Sequence, residues 1–199
     1  PASPAPQPRT GPVLFVGRLM PRKGCDVLAQ AAAPFLRACP DATLEMVGAD
    51  TPTAPERGSM QAWMIRQLPD DVRPRVRFRG EVSSADVSAA LLRSRFVVVP
   101  SILENFANTA LDPMAVGRAV VYAGGTGLDE VVGDAGVRVN PLTPQNLAAA
   151  LIDLYNDPGR AGALAAAGLQ RIASLFSPAR TTHERIGMYQ RIIDEYNAA

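Results

Sequence analysis

Lysine is almost missing from this chain of 199 residues: among 20 basic side chains, Lys23 is the one lysine and the others are arginines. Histidine appears once, as His183, and cysteine twice, as Cys25 and Cys39. Two thiols and one imidazole do not supply the ligand set of a structural zinc site. They give no disulfide framework either, and with no signal peptide in view they read as reduced packing residues of a cytoplasmic protein. No apolar run approaches the ~20 residues needed to span a bilayer. The net charge of +1 removes any general reason to expect nucleic-acid binding. Both common phosphate-loop fingerprints, GxxxxGK[ST] and GxGxxG, are absent. No internal repeat is present.

What is there is the composition of an ordinary globular domain, 47% hydrophobic and 20% charged, at a length suited to one well-buried domain. Residues 1–12 are rich in proline and small polar side chains and read as a linker or chain end. From residue 13 to 199 the pattern is that of a domain. Short apolar strands are expected at 13–17, 42–47, 76–78, 96–99, 119–122 and 137–139. Helices are expected between them at 26–38, 60–67, 85–93, 108–116 and 144–155. Strands this short and this apolar are buried on both faces, which predicts a doubly wound, mostly parallel α/β sheet of six strands with right-handed crossovers. The C-terminal third adds helical runs at 160–175 and 179–196, with Pro158 and Pro178 at positions suited to helix starts.

Three segments carry chemistry, and each follows a strand, so all emerge at the carboxyl edge where open α/β sheets bind ligands. The first, residues 17–24 (GRLMPRKG), places Arg18 and Lys23 between two glycines ahead of a helix, an arrangement suited to a phosphate or diphosphate. The second, residues 100–112 (PSILENFANTALD), delivers Glu104 to the strand end and Asn108 and Thr109 to a helix start, where backbone N–H groups are free. Asp112 follows about two turns up that helix, roughly 10–12 Å from Glu104, a spacing better suited to an elongated polar ligand than to a metal ion. The third, residues 123–132 (AGGTGLDEVV), offers glycine-rich backbone for close ligand approach, with Glu130 starting a short helix. Each segment alone also fits a solvated loop, a helix cap or a plain turn.

Taken in order and at this spacing, GRLxxxKG, PSxxExFxxxxxD and MAxGxxVVxxGG resemble the retaining GT-B glycosyltransferases of family 4, specifically their C-terminal, donor-binding half. The resemblance covers roughly residues 12–197. It implies a Rossmann-like domain that binds a UDP- or GDP-sugar without a metal or other cofactor. By this resemblance Arg18 and Lys23 neutralise the donor diphosphate and Glu104 hydrogen-bonds the donor sugar; these three are the candidate catalytic residues. Gly17 belongs to the donor site, the backbone around Phe106, Ala107, Asn108 and Thr109 helps to hold the phosphates, Asp112 binds the ribose, and the turn at residues 80–82, Val82 included, lies near the base. The sequence departs from the family pattern at Ala107, where glycine is usual, and at Asp112, where glutamate is usual. Pro113 adds an expected irregularity at 112–114.

The resemblance further implies that the N-terminal acceptor-binding domain is not on this chain, which then binds donor without turning it over. A glycan or lipid-linked acceptor follows, with the full protein in the cytoplasm or peripherally at the inner face of a membrane. A stand-alone nucleotide-recognition module without transfer chemistry is the alternative. Among the remaining features, His183 falls on a late helix away from the sheet edge, and Trp63 with Met60 and Met64 reads as core or interface. Residues 50–59 form a connection longer than a strand–helix turn requires. The last helix is expected to leave apolar side chains among Ile186, Met188, Tyr189, Ile192 and Ile193 uncovered.

Overall fold

The computed structural model describes residues 10–104 and 108–197, without the side chains of residues 178–181, 183–185, 194, 195 and 197. Its strands are Val13–Val16 (β1), Leu44–Val47 (β2), Val76–Phe78 (β3), Phe96–Val99 (β4), Val120–Ala123 (β5) and Val137–Val139 (β6). They form one sheet in the order β3-β2-β1-β4-β5-β6, and every neighbouring pair is parallel. The strand order reverses between β1 and β4, so the crevice at their carboxyl ends is the place where such sheets take ligands.

Alternation along the strands builds a core on each face. Val13, Phe15, Met46, Phe96 and Val98 point to one side, under Cys25–Ala38 (α1), Met60–Gln67 (α2) and Pro144–Asn156 (α6). Leu14, Val97, Val99, Val120 and Tyr122 point to the other, under Ser84–Arg93 (α3), Asn108–Ala115 (α4) and Leu128–Val132 (α5). Each fully buried side chain of this kind contributes about 1.5–3 kcal/mol by leaving water. Trp63, Met60 and Met64 of α2 are buried in the first core. Phe35 of α1 meets Tyr155 of α6 edge to face at 5.8 Å, and the Arg95 guanidinium lies over the same tyrosine ring at 3.9 Å. Pro158–Leu175 (α7) follows α6, and Pro178–Asn197 (α8) packs against α7. On α8, Ile186, Met188, Tyr189, Ile192, Ile193 and Tyr196 are exposed, as expected for that helix.

Local chemistry explains where the helices begin. The side chains of Ser59, Ser83, Thr143 and Asp157 accept hydrogen bonds from Ala62, Asp86, Asn146 and Arg160 backbone N–H groups, each cap contributing about 1 kcal/mol. The structure shifts several expected boundaries: β2 begins at Leu44, two residues after the expected start, and α5 begins at Leu128, ahead of Glu130. Pro113 does not interrupt α4, which runs on to Ala115. The irregularity falls at the helix end, where Gly117 is left-handed (φ 70°) and Arg118 N–H returns to the Pro113 carbonyl at 2.8 Å. Arg118 itself is buried and donates to the carbonyls of Leu91, Leu92 and Gly117, tying the end of α3 to the turn after α4.

Candidate functional site

The loop after β1 is fixed at both ends before it presents a charge. Leu19 is buried and its N–H donates to the Ala49 carbonyl at 2.9 Å, which lays the loop along the end of β2. The Thr51 hydroxyl donates to the Leu19 carbonyl from the other side. Pro21–Lys23 then form a single 3-10 turn that closes on Gly24, at φ 71°. A side chain at Gly24 is excluded twice: the left-handed backbone disfavours it, and a Cβ there would lie 2.0 Å from the Pro100 carbonyl oxygen. Close contact at Gly24 therefore seats the loop directly on the segment after β4.

That segment is held in turn. Ile102 N–H donates to the Arg22 carbonyl at 3.0 Å, and Ser101 is buried. Lys23 Nζ and Glu104 Oε1 form an ion pair whose side chains are 15% and 11% exposed. The Glu104 carbonyl accepts from Gly127 N–H at 3.0 Å, which brings in the loop after β5. Glu104 is thus the point where all three chemistry-bearing segments meet. In the third segment Asp129 accepts from Gly125 N–H at 2.7 Å and from both Nε and Nη2 of Arg138 at 2.7 and 3.2 Å. The Arg138 guanidinium holds the Asp129 carboxyl below its usual range. Cys25, the first residue of α1, is buried, and burial pushes its thiol up to about 12, so it stays protonated beside Lys23.

The described candidate residues fall into four groups. Gly17, Arg18 and Val82 line one cavity of about 200 Å³ at the ends of β1, β2 and β3. Lys23 and Glu104 form the ion pair next to it. Asn108 and Thr109 open α4, and Thr109 Oγ1 is buried with no hydrogen-bond partner among the described residues. Asp112 lies in a separate groove of about 320 Å³ between α3 and α4, beside Ser84, Ser88, Leu91 and Val116. Its carboxyl reaches solvent from this wall, and partial desolvation raises it above the usual carboxylate range. The groove and the cavity share Val87 as a common wall. Phe106 and Ala107 lie outside the described residues, and so does the His183 side chain.

Sequence reasoning missed the Lys23–Glu104 pair, whose members stand 81 residues apart. It placed the turn at residues 80–82 near the base but gave no role to Glu81, the second charged wall of the cavity that Arg18 and Val82 line. Its place directly after Gly80, in the turn assigned to the base, was the available signal. The loop at 50–59 is tied down rather than simply long. Asp50 accepts from Thr51 and Gln61 N–H groups at 2.9 and 2.8 Å, and Leu19 and Asp50 form a parallel bridge. Burial opposes the Asp50 charge, but hydrogen bonds from Ser59, Gln61, Thr51 and Met60 outweigh it and hold the carboxyl below its usual range.

A six-stranded parallel sheet in this strand order with helices on both faces defines an α/β domain of the Rossmann type. Residues 11–157 match the family model of the glycosyl transferases group 1, and the chain belongs to that family. It is 35% identical to glycogen synthase of Mycobacterium tuberculosis over 177 residues, covering 86% of this chain and 41% of that protein. It is 34% identical to D-inositol 3-phosphate glycosyltransferase of Salinispora tropica over 190 residues, covering 92% of this chain and 39% of that protein. The chain therefore spans about two fifths of the length of these curated relatives. Sucrose-phosphate synthase from Thermosynechococcus elongatus superposes with a TM-score of 0.76 at 26% identity, over 94% of this chain and 47% of that one. The C-terminal domain of a group 1 glycosyl transferase from Francisella tularensis superposes with a TM-score of 0.75 at 23% identity, over 84% of this chain and 87% of that one. No described helix is long and apolar enough to cross a membrane.

Proposed function

We propose that this chain is the donor-binding half of a retaining family 4 glycosyltransferase that takes a UDP- or GDP-sugar. The observation that carries the reading is the junction at Glu104: its side chain pairs with Lys23 and its carbonyl holds the loop at Gly127, at the sheet edge. Arg18 and Lys23 supply positive charge for the donor diphosphate, and the start of α4 at Asn108 and Thr109 adds backbone donors. As the diphosphate departs, that fixed charge stabilises the leaving group, which is electrostatic preorganisation in place of proton transfer. Glu104 accepts hydrogen bonds from the donor sugar and holds Lys23 in position. Asp112 contacts the ribose from the α3–α4 groove, next to the cavity that takes the base.

The acceptor site belongs to an N-terminal domain not on this chain. The short coverage of both curated relatives and the exposed apolar face of α8 support that reading. The isolated chain binds donor without turnover, and robust sugar transfer by it alone would overturn this. The direct test is a thermal-shift panel of UDP, GDP, ADP and their sugar conjugates. A ligand at 100 times its Kd stabilises the fold by about 2.7 kcal/mol. At least one diphosphate should raise the melting temperature, and Arg18→Ala/Lys23→Ala should abolish the rise. Equal responses in the wild type and the double variant would refute the donor-site assignment.

A further inference from the structure

The donor site described above leaves its base open, and one charged group on its wall has no structural task. Gly17 and Gly48 line the 200 Å³ cavity without side chains. A Cβ at Gly48 would lie 2.0 Å from the Gly17 carbonyl oxygen, so the end of β2 carries none there. Val16, Val47, Val82 and Val87 line it with branched aliphatic side chains. Bare glycine backbone beside such side chains suits a planar ring. The Gly80 carbonyl accepts from Gly48 N–H at 2.8 Å, which pins the turn that carries Glu81 to the cavity edge. Two charged side chains line the space, Arg18 and Glu81. Neither side chain has an ion pair or hydrogen bond with any described residue. Three other acids, by contrast, are engaged: Glu45 with Arg93, Asp129 with Arg138, and Glu104 with Lys23.

We propose that Glu81 selects the base of the donor and that its carboxylate favours guanine, making the substrate a guanosine-diphosphate sugar. The proposal rests on the donor-site reading above. An ionised carboxylate accepts hydrogen bonds and donates none. Guanine presents two adjacent donors, the ring N1–H and the exocyclic N2–H, spaced to meet both carboxylate oxygens at once. Uracil offers one N3–H between two carbonyl oxygens, which face the carboxylate charge. Adenine sets its amine beside an acceptor nitrogen. The same side chain therefore rewards guanine and repels the alternatives, and specificity of this kind draws on both effects. Charge-assisted, two-point contacts are the strong ones among hydrogen bonds.

Isothermal titration of this chain with GDP, UDP and ADP, repeated on Glu81→Gln and Glu81→Ala, tests it. GDP should bind at least tenfold more tightly than UDP or ADP, about 1.4 kcal/mol, within the range that two-point base contacts discriminate. Both variants should lose that preference, through weaker GDP binding and UDP binding that is unchanged or tighter. Glu81 is exposed, so unchanged melting temperatures will separate lost recognition from lost folding. UDP or ADP binding as tightly as GDP, or variants that keep the preference, would overturn the guanine assignment and leave the donor site standing. Failure of all three diphosphates to bind would remove the donor site and this proposal together.

Discussion

Gly24→Ala is the substitution that most directly tests how the site is assembled. Two costs are expected to add at this position. An alanine held near φ 71° occupies left-handed backbone, at about 1–2 kcal/mol. Its Cβ would also lie 2.0 Å from Pro100 O and 2.7 Å from Pro100 C, both backbone atoms that cannot rotate away. Relieving such a contact moves one segment against the other, at about 1–3 kcal/mol. Gly80→Ala is the matched control, with φ 69° and no atom within 4 Å of the added Cβ. The left-handed cost is common to both variants, so their difference isolates the steric cost. For a chain of this length 1 kcal/mol moves the melting temperature by about 2–4 °C, and the predicted gap between the variants is about 2–12 °C. Differential scanning calorimetry of the two proteins measures it. If Gly24→Ala melts with or above Gly80→Ala, the two segments are not seated on each other as described.

The Lys23–Glu104 pair should behave as a coupled unit. Lys23→Met leaves a mostly buried carboxylate without its partner, at about 1–3 kcal/mol, whereas Lys23→Met/Glu104→Gln should recover at least about 1 kcal/mol of that in urea unfolding; purely additive losses would show that the pair contributes nothing. Asp112→Asn should stabilise the ligand-free chain at neutral pH. Partial desolvation raises the Asp112 carboxyl in the folded state, so the ionised form destabilises the fold at pH values above the raised folded value. The penalty shrinks as pH falls and vanishes below the unfolded value, near 3.8. Melting temperatures of wild type and variant should therefore converge in acid and separate toward pH 7. A constant separation, or a less stable variant at pH 7, would refute the assigned cause.

The sheet was legible because its strands state their burial openly. Phe96–Val99 and Val120–Ala123 are apolar at every position, and only a strand covered on both faces needs that. Helix starts were legible where a cap was spelled out, as at Thr143 followed by Pro144. The site was legible as three segments but not as contacts. Which side of α4 Asp112 occupies depends on the rotation of a helix whose phase the core sets, and the core buries Ala110, Pro113 and Met114. That choice puts Asp112 on the α3 side, in its own groove. The Lys23–Glu104 pair depends on the seating of one loop on another, which no local pattern encodes. Pro113 misled in a different way: a proline six residues into an eight-residue helix removes one backbone bond but does not break the helix. Buried Arg118 and Glu45 carry no local sequence signature, because their partners come from other elements.

The central position of β1 has a kinetic consequence. Val13 pairs with Leu44 on one side and with Phe96 on the other. The second partner lies 83 residues downstream (96 − 13), so the middle of the sheet cannot close until β4 has been synthesised. Contacts this distant in sequence slow folding, because the intervening chain must lose its freedom before the pairing rewards it. The loop at residues 17–24 and the segment at 100–104 meet across that same seam. On the ribosome, a nascent chain stopped short of β4 would display the cationic loop with only β2 beside it and without Glu104 to meet it. The Lys23–Glu104 contact therefore cannot form until the segment after β4 has emerged.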